Sequence, residues 1–523
     1  LLWNCLEVDD SPEFWGASTK AIVPVLFAME NYPGDQNIQH DACGFLSLLA
    51  TRSDYHDKLI NHKATVSILR AMVEHQDSPQ VQYSAMSALS RLIAANDELK
   101  VQASFTDEVV PCIFNVLRRH RHARRLHEAG HGLLDDLARA DGTKPIVSSA
   151  QDINEIVHAM NQHEGSLEVQ KKALGILFSV AFSKTTATCD AVIPAVVMAM
   201  GRFPLDDEVQ YFGCATLLTL ANTECQRFGV SVVTTVLNAS RIHVDNYDVQ
   251  ETVLRMLSLV ATNNKSTRET ILQKNNIDTV LRAMLKHGTN RRVQQVGFGL
   301  ISCVLSLCLS SSPPAIRQRM VLVITDAMRH HKKDDTIQSN GCELLARTSS
   351  NDTTIQCIHR LGGVPLLLSA LQQCKLKAQT LRFAFVALKN IAHISEARKL
   401  ILEYEGDEKI LMTLMSKLHA QNCKIQEAGY LALVSIWKNA GSVKVSRNLL
   451  HVFCRTMNNH AKNALVLHAA FDAVLLLPNN PEKHATMHKA TLESTIHQAM
   501  RHHSFNLALK KKATTLRDRI REF

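Results

Sequence analysis

Turn-forming and aromatic residues are scarce in this chain: its 523 residues include 20 glycines and 13 prolines, and aromatics make up 5%. An architecture of many short strands needs frequent Gly/Pro turns and β-branched or aromatic strands, so a β-rich fold is excluded. Long apolar runs are also missing. "VIPAVVMAM" (192–200) is among the longest and is far short of the ~20 residues that span a bilayer. No opening segment joins basic residues, an apolar core and a cleavage site. The 13 cysteines are odd in number and form no C-x-x-C; several sit in helical apolar stripes. They read as reduced, buried thiols, which fits the cytoplasm, with the nucleus as the alternative. G-x-S-x-G, Walker A and a G-x-G-x-x-G at a strand–helix turn are all lacking, so neither an enzyme nor a cofactor is expected.

What is present is abundant Leu, Ala, Met, Gln and Lys, the composition of an almost wholly helical chain. Its length exceeds the ~250–300 residues that one core supports, so several domains or an extended array are required. The net charge of +9 and pI near 8.9 argue weakly for an acidic partner. Charge is uneven: residues 1–60 hold nine acids against three bases, and residues 480–523 nine bases against four acids. An elongated molecule would carry opposite signs at its ends, which suits end-to-end self-association or membership of a larger complex.

A repeat is visible in "AMENYPGDQNIQHDACGFL" (28–46), "AMVEHQDSPQVQYSAMSAL" (71–89), "AMNQHEGSLEVQKKALGIL" (159–177) and "AMRHHKKDDTIQSNGCELL" (327–345). Anchoring on the glutamine gives Gln39, Gln82, His127, Gln170, Gln210, Gln250, Gln294, Gln338, Leu381, Gln426, Leu467 and Lys510, spaced 40–45 residues apart. Apolar residues follow each anchor at i, i+3, i+4, i+7, the stripe of a helix buried on one side. Three past the anchor the residue is small in most units, as at Ala42, Ala85, Gly130, Gly213, Gly297 and Gly341, which lets helices approach closely. A second helix ends at the Ala-Met pair, with Pro24, Pro111, Pro194 and Pro365 near its start, where a missing N–H costs nothing.

No such unit buries its apolar face alone, so stacking must supply the core. The chain resembles an armadillo or HEAT-type α-solenoid; "RLGGVPLLLSAL" (360–371) and "LKNIA" (388–392) come nearest the armadillo pattern. The resemblance implies an all-α, right-handed superhelical α-solenoid of about twelve armadillo-like repeats of ~43 residues, forming one array over 1–523. Residues 1–20, beginning "LLWNCLE", read as the remnant of a truncated repeat, 21–503 as tandem repeats and 504–523 as a partial one. Both ends stop in mid-repeat, and the natural protein is expected to extend further. Importin-α cargo receptors carry Trp five past the anchor and Asn nine past it. Here the fifth positions include Gly44, Ser87, Gly132, Gly175, Ala215 and Arg255 without a Trp, and the ninth offers only Asn390, with Asn4 in the truncated unit. Capture of basic cargo is therefore not expected.

One short word points elsewhere. His127-Glu128-Ala129-Gly130-His131 has the form H-E-x-x-H, in which two His bind zinc and the Glu acts as base. In register, however, His127 is an anchor, Gly130 the small position and His131 a core position. Leu134 and Leu137 stand where a metzincin needs Gly and His, and Glu155 is a poor third ligand. A zinc metallopeptidase is the remote alternative, and no metal is expected.

Seven residues before the anchor runs a ladder: Tyr32, His75, His120, His163, Phe203, His243, His287, His331, Cys374, His419, His460 and His503. Each His should bond terminal helix carbonyls and complement the dipole; a pH- or metal-sensing ladder is the sharper alternative. Twelve, nine and eight before the anchor lie eleven bases: Arg70, Arg282, Arg455, Arg118, Arg241, Arg329, Lys417, Arg501, Arg119, Arg202 and Lys286. Three acids, Glu30, Glu74 and Asp326, share those positions. This row complements helix dipoles or, since in the resembled family the last helix of each unit lines the concave face, forms a partner-binding groove for an acidic or phosphorylated segment. "RRHRHARR" (118–125) has no interleaved aromatics, leaving nucleic acid binding by a HEAT-like array as a secondary alternative. The composite expectation is a non-catalytic protein-interaction scaffold without membrane insertion.

Overall fold

Most helices that carry an anchor are preceded, four residues before it, by a side chain able to cap the helix start. The computed structural model describes residues 12–94, 103–139, 147, 149–179, 186–224, 228–311, 314–349, 351–373, 377–438, 449–477 and 486–522. The opening "LLWNCLE" with Asn4, and Cys374 of the ladder, lie outside the described residues. Among these, all regular structure is helical: 28 α-helices and one 3-10 turn. The chain divides into two units, residues 1–263 and 264–523.

The first unit contains α1 (Pro12–Asn31), α2 (Gln36–Leu49), α3 (His56–Asn61), α4 (Ala64–Glu74), α5 (Pro79–Ala94), α6 (Ala103–Arg119), α7 (Arg124–Ala138), α8 (Ala150–Gln162), α9 (Leu167–Ser179), α10 (Thr186–Arg202), α11 (Asp207–Glu224), α12 (Val230–Ile242) and α13 (Tyr247–Asn263). The anchor helices α2, α5, α7, α9, α11 and α13 pack each against the next, as do the Ala-Met helices α1, α4, α6, α8, α10 and α12. The second unit contains α14 (Lys265–Leu272), α15 (Lys274–Lys286), α16 (Arg291–Ser311), α17 (Pro314–His330), α18 (Asp335–Thr348), α19 (Asp352–Arg360), α20 (Gly363–Gln373), α21 (Ala378–Ile391), α22 (Ser395–Glu403), α23 (Gly406–Met415), α24 (Cys423–Trp437), α25 (Leu449–Asn459), α26 (Ala464–Leu475), α27 (Thr486–His502) and α28 (Leu507–Glu522). It shows the same two rows, with α16, α18, α21, α24, α26 and α28 as anchor helices.

The anchor glutamine is a helix cap supplied by side chain. Gln82 Nε2 donates to the carbonyls of Met72 (2.8 Å) and His75 (2.9 Å), ten and seven residues earlier. Gln39, Gln170, Gln210, Gln250, Gln294 and Gln338 do the same at the same two offsets. Gln426 reaches Leu414 and His419. The last carbonyls of an α-helix have no partner within it, and one carboxamide NH2 offers two protons to two of them. These glutamines are all buried, so the cap lies in the core.

Two further positions close the same turn. At the helix start, Asp35 accepts from the N–H groups of Asn37 and Ile38, Asp334 from Thr336 and Ile337, and Asn463 from Leu465 and Val466, the usual N-cap chemistry. Ala123 and Lys377, preceding the non-glutamine anchors His127 and Leu381, make no such bond. Three past the anchor, the small residue accommodates the methionine rather than bare backbone. A Cβ at Gly341 would lie 2.5 Å from Met328 Cγ, and one at Gly213 2.6 Å from Met200 Cγ.

The ladder histidines differ from expectation in their partner. Their rings reach the carbonyl one past the ladder position of the preceding repeat, not their own helix. His75 Nε2 donates to Pro33, His120 to Gln76, His163 to Arg121 and His243 to Pro204, at 2.6–2.9 Å. In the second unit His331 donates to Gly288, His460 to Ala420 and His503 to Ala461, at 2.8–3.0 Å. An Nε2–H donor persists whether the ring is neutral or protonated, so these links do not open on protonation.

The prolines also depart from expectation. Pro24, Pro111 and Pro194 lie well inside α1, α6 and α10, because the short helix and the Ala-Met helix run together there. Only Pro365 falls in a first turn. Where the two helices are separate, three of the joints turn on a left-handed residue, Lys63 (φ 58°), Gly362 (φ 73°) and Glu405 (φ 54°), while α14 and α15 join through Gln273 at φ −54°.

Replacing Gln338 by Leu keeps the bulk but strands two buried carbonyls. Unfolding by urea should show a loss of about 1–3 kcal/mol; an unshifted midpoint would mean the cap is dispensable.

Candidate interaction surface

Because the stripe after each anchor is buried, the residues one, five and nine past it share the outward face of the anchor helix. In the first unit this face carries an open trough of about 690 Å³ across α2, α5 and the start of α7. His40, Tyr83, Arg91, Arg124 and Arg125 line it over a floor that includes Gly44, Leu48, Pro79, Ser87 and Leu126, with no acidic side chain. Arg91 is held in place by the Ser47 carbonyl (2.9 Å) and hydroxyl (3.0 Å). His40 Nδ1 lies 3.0 Å from Ser84 Oγ. Arg124 pairs with Glu128 at 3.3 Å yet keeps 66% of its side chain exposed, and Arg125 is exposed. Such a surface can hold carboxylate or phosphate oxygens, for which guanidinium groups are suited.

Further along the same face lies an aromatic patch. Phe178 of α9 stands 6.5 Å from Tyr211 and 6.0 Å from Phe212 of α11, centroid to centroid, and is 40% exposed. The Arg139 guanidinium lies 5.2 Å over the Phe212 ring. It is fixed there by both oxygens of the buried Asp135 (3.0 and 2.8 Å), which Lys172 also approaches at 3.3 Å.

The eleven-base row occupies the other set of helices. Arg70, Arg118, Arg119, Arg202, Arg241, Arg282, Lys286, Arg329, Arg455 and Arg501 lie on the Ala-Met helices, mostly in the last turns. Lys417 instead falls in the turn after α23, which ends at Met415. Several bridge to neighbouring repeats: Arg118 pairs with Asp152, Arg119 with Asp77, Arg202 with Glu164, and Arg455 donates to the Met415 carbonyl. Arg329 contacts Asp326 and the Leu361 carbonyl. Arg70, Arg241, Arg282, Lys286, Lys417 and Arg501 are exposed. The row therefore runs along helix ends and turns and contributes nothing to the trough lining.

Comparison with known proteins agrees with this repeat architecture. A family model described as the LRRK2 ARM repeat matches residues 26–194, a stretch that contains the trough. A chain solved in work on a conserved phosphorylation switch controlling the interaction between cadherin and beta-catenin superposes with a TM-score of 0.55 at 12% identity, over 99% of this chain and 98% of that one. The chain has the fold of an armadillo-type repeat array. At that identity the likeness concerns fold alone. No helix of the described residues is long and apolar enough to cross a membrane. Asn390, the ninth-position Asn among the described residues, is bound to Ser349 Oγ of the neighbouring repeat at 3.0 Å.

Within the armadillo register, the H-E-x-x-H word is core. His127 and His131 are fully buried, their rings stacked at 5.6 Å, and His163 packs 4.6 Å from His127. His131 Nδ1 bonds the His127 carbonyl at 2.8 Å. Glu128 accepts from Ser166 Oγ, and Glu155 pairs with Arg121. A catalytic zinc needs a solvent-open position, which two sealed imidazoles do not provide. Among the described residues no three His, Cys, Asp or Glu side chains converge on a metal geometry. Neither ring nitrogen of His127 makes a hydrogen bond of normal geometry, although the His120 backbone interacts with the ring, so this anchor occupies the glutamine's place without its two-carbonyl cap.

Burial, reinforced by His131 and His163, lowers the His127 pKa to about 3, and burial lowers that of His131 to about 4. Both rings fold neutral, while the unfolded chain takes up protons below its ordinary value near 6.5. Their contribution is complete above pH 6.5 and falls away as pH drops toward about 4 for His131 and about 3 for His127. His127→Gln should flatten this acid limb in pH-dependent urea unfolding and, by restoring a cap to the His120 turn, add about 1–2 kcal/mol. An unchanged profile would refute the assignment.

Proposed function

We propose that this protein is a non-catalytic scaffold, working in the cytoplasm, that holds an extended acidic or phosphorylated segment of a protein partner. The observation that carries this reading is the acid-free trough at His40, Tyr83, Arg91, Arg124 and Arg125, with an apolar floor and guanidinium groups at its rim. Extended segments bind where side-chain pockets repeat along a rigid surface, and successive armadillo helices provide that spacing. The exposed members of the basic row, Arg70, Arg241, Arg282, Lys286, Lys417 and Arg501, add a long-range positive field that favours encounter with such a segment. Eight cysteines, among them the buried Cys43, Cys214 and Cys454, form no disulfide, in keeping with a reducing compartment. The fold neighbour's phosphorylation-controlled interaction is a precedent in kind for a charge-dependent partner.

The immobilised 523-residue chain should retain a partner from cell extract, identified by mass spectrometry after nuclease treatment. Charge reversal at Arg91 with Arg125, or at Arg282 with Arg329, should reduce its recovery by roughly tenfold, as loss of one or two charge-assisted contacts implies. Recovery indifferent to both pairs and to phosphatase treatment of the extract would rule the reading out. Recovery abolished by nuclease would point to nucleic acid.

A further inference from the structure

The trough and the aromatic patch share one face of one unit, and the fifth positions between them are small. At the fifth position after each anchor the first unit places Gly44, Ser87, Gly132, Gly175 and Ala215 in turn, until Arg255 ends the series. A Cβ at Gly132 would meet nothing within 4 Å, so the space above α7 is open. At Gly175 a Cβ would come 2.4 Å from Asp135 Oδ1, so the carboxylate that holds Arg139 needs that glycine. Asp135 is compensated by Arg139 and Lys172, and Asp136 accepts from Ser90 Oγ at 3.0 Å. An acidic chain crossing here meets an Asp135 carboxylate offset by two cations and a half-buried Asp136 bonded to a neutral hydroxyl.

We infer that the first unit reads a two-part motif in its partner: acidic or phosphorylated residues seated at Arg91, Arg124 and Arg125, and a bulky apolar side chain seated on Phe178, Tyr211 and Phe212. This deepens the scaffold reading above and rests on it. Three clustered rings, one of them 40% exposed, are conspicuous in a chain with 5% aromatics. Tyr and Phe surfaces beside a fixed Arg are the composition of binding hot spots. Charge complementarity selects the occupant at one end, and an apolar, partly exposed platform selects it at the other. The cations lie on the second and third anchor helices and the rings on the fourth and fifth. Packed helices are ~10 Å apart, so the two seats are about 20 Å apart, which an extended strand at ~3.3 Å per residue covers in about six residues.

The test uses the full 523-residue chain and a fluorescein-labelled synthetic peptide made of Glu-Glu-Glu, a Gly-Ser spacer of about five residues and Phe-Leu. Two control peptides replace either the glutamates or the Phe-Leu with Gly-Ser, and binding is read by fluorescence anisotropy. The two-part peptide should bind roughly tenfold or more tighter than either control, since the second contact becomes intramolecular. Phe178→Ala with Tyr211→Ala should reduce it to the affinity of the acid-only control, and Arg91→Glu with Arg125→Glu to that of the apolar-only control. Gly132→Trp, at a site where a side chain meets nothing, should weaken the two-part peptide while leaving both controls unchanged. Unaltered circular dichroism and melting temperature would show that each variant folds. Equal affinity for the two-part and acid-only peptides, with Arg91 and Arg125 still required, would overturn the two-part motif and leave the scaffold reading standing. Binding that ignores Arg91 and Arg125, or no binding of any peptide, would overturn both.

Discussion

The structure depends on one buried carboxamide used again and again. Each anchor glutamine sits at the head of one helix and donates both protons of its NH2 to carbonyls at the tail of the helix before it. A water molecule could satisfy these carbonyls at a surface, but in a core only a fixed donor can. The spacing of ten and seven residues sets the length of the turn, and the turn sets the angle at which the two helices meet. Asx capping and the methionine that fills the space above Gly213 or Gly341 then follow from the same geometry. Where the anchor is His127 or Leu381, the preceding cap at Ala123 or Lys377 is missing too. The exception at His127 shows the cost of losing the carboxamide: two buried ring nitrogens without a hydrogen bond of normal geometry.

Most of this was readable because the lock constrains residue type. Only glutamine has the reach and the paired protons, so it recurs, and counting from it gives the small position, the core stripe and the helix pairs. Assigning His131 to the core, rather than to a metal, relied on the same register and agrees with its complete burial. The histidine ladder was visible for the same reason, but its partner was not: periodicity within a chain shows that a residue recurs, not whether its ring turns toward its own helix or the preceding repeat. The Asx caps at Asp35, Asn290 and Asp334 recur four before the anchor and could have been found by extending the same count. The prolines of α1, α6 and α10 misled because a proline marks a helix start only when no short helix precedes it in continuous register.

The surface was less readable, and for a physical reason. Buried positions answer to neighbours that repeat, so they repeat; outward positions answer to a partner that does not. Asking whether the fifth and ninth positions hold Trp and Asn tests for one known partner class and is blind to any other. The trough emerges only when Arg91 at a ninth position, Tyr83 at a first, and Arg124 and Arg125 before the next anchor are brought together by helix packing. Those residues share no common register, so no single offset reveals them.

The eleven-base row shows the converse. It stood out in sequence because it is periodic, yet periodicity is the property of residues that serve the stack. Arg118, Arg119, Arg202 and Arg455 duly bond to adjacent repeats, and exposed pairs of this sort contribute little each. The trough breaks the period: its cations come from two helices and three different offsets, and only Arg91 is fastened by neutral groups alone. In a molecule built by repetition, the residues that depart from the repeat while remaining ordered and exposed are those the fold does not require. On a regular scaffold, irregularity is therefore the feature that the fold leaves unexplained, and in the second unit Glu343, Val386, Leu431 and Asp472 interrupt the small fifth position.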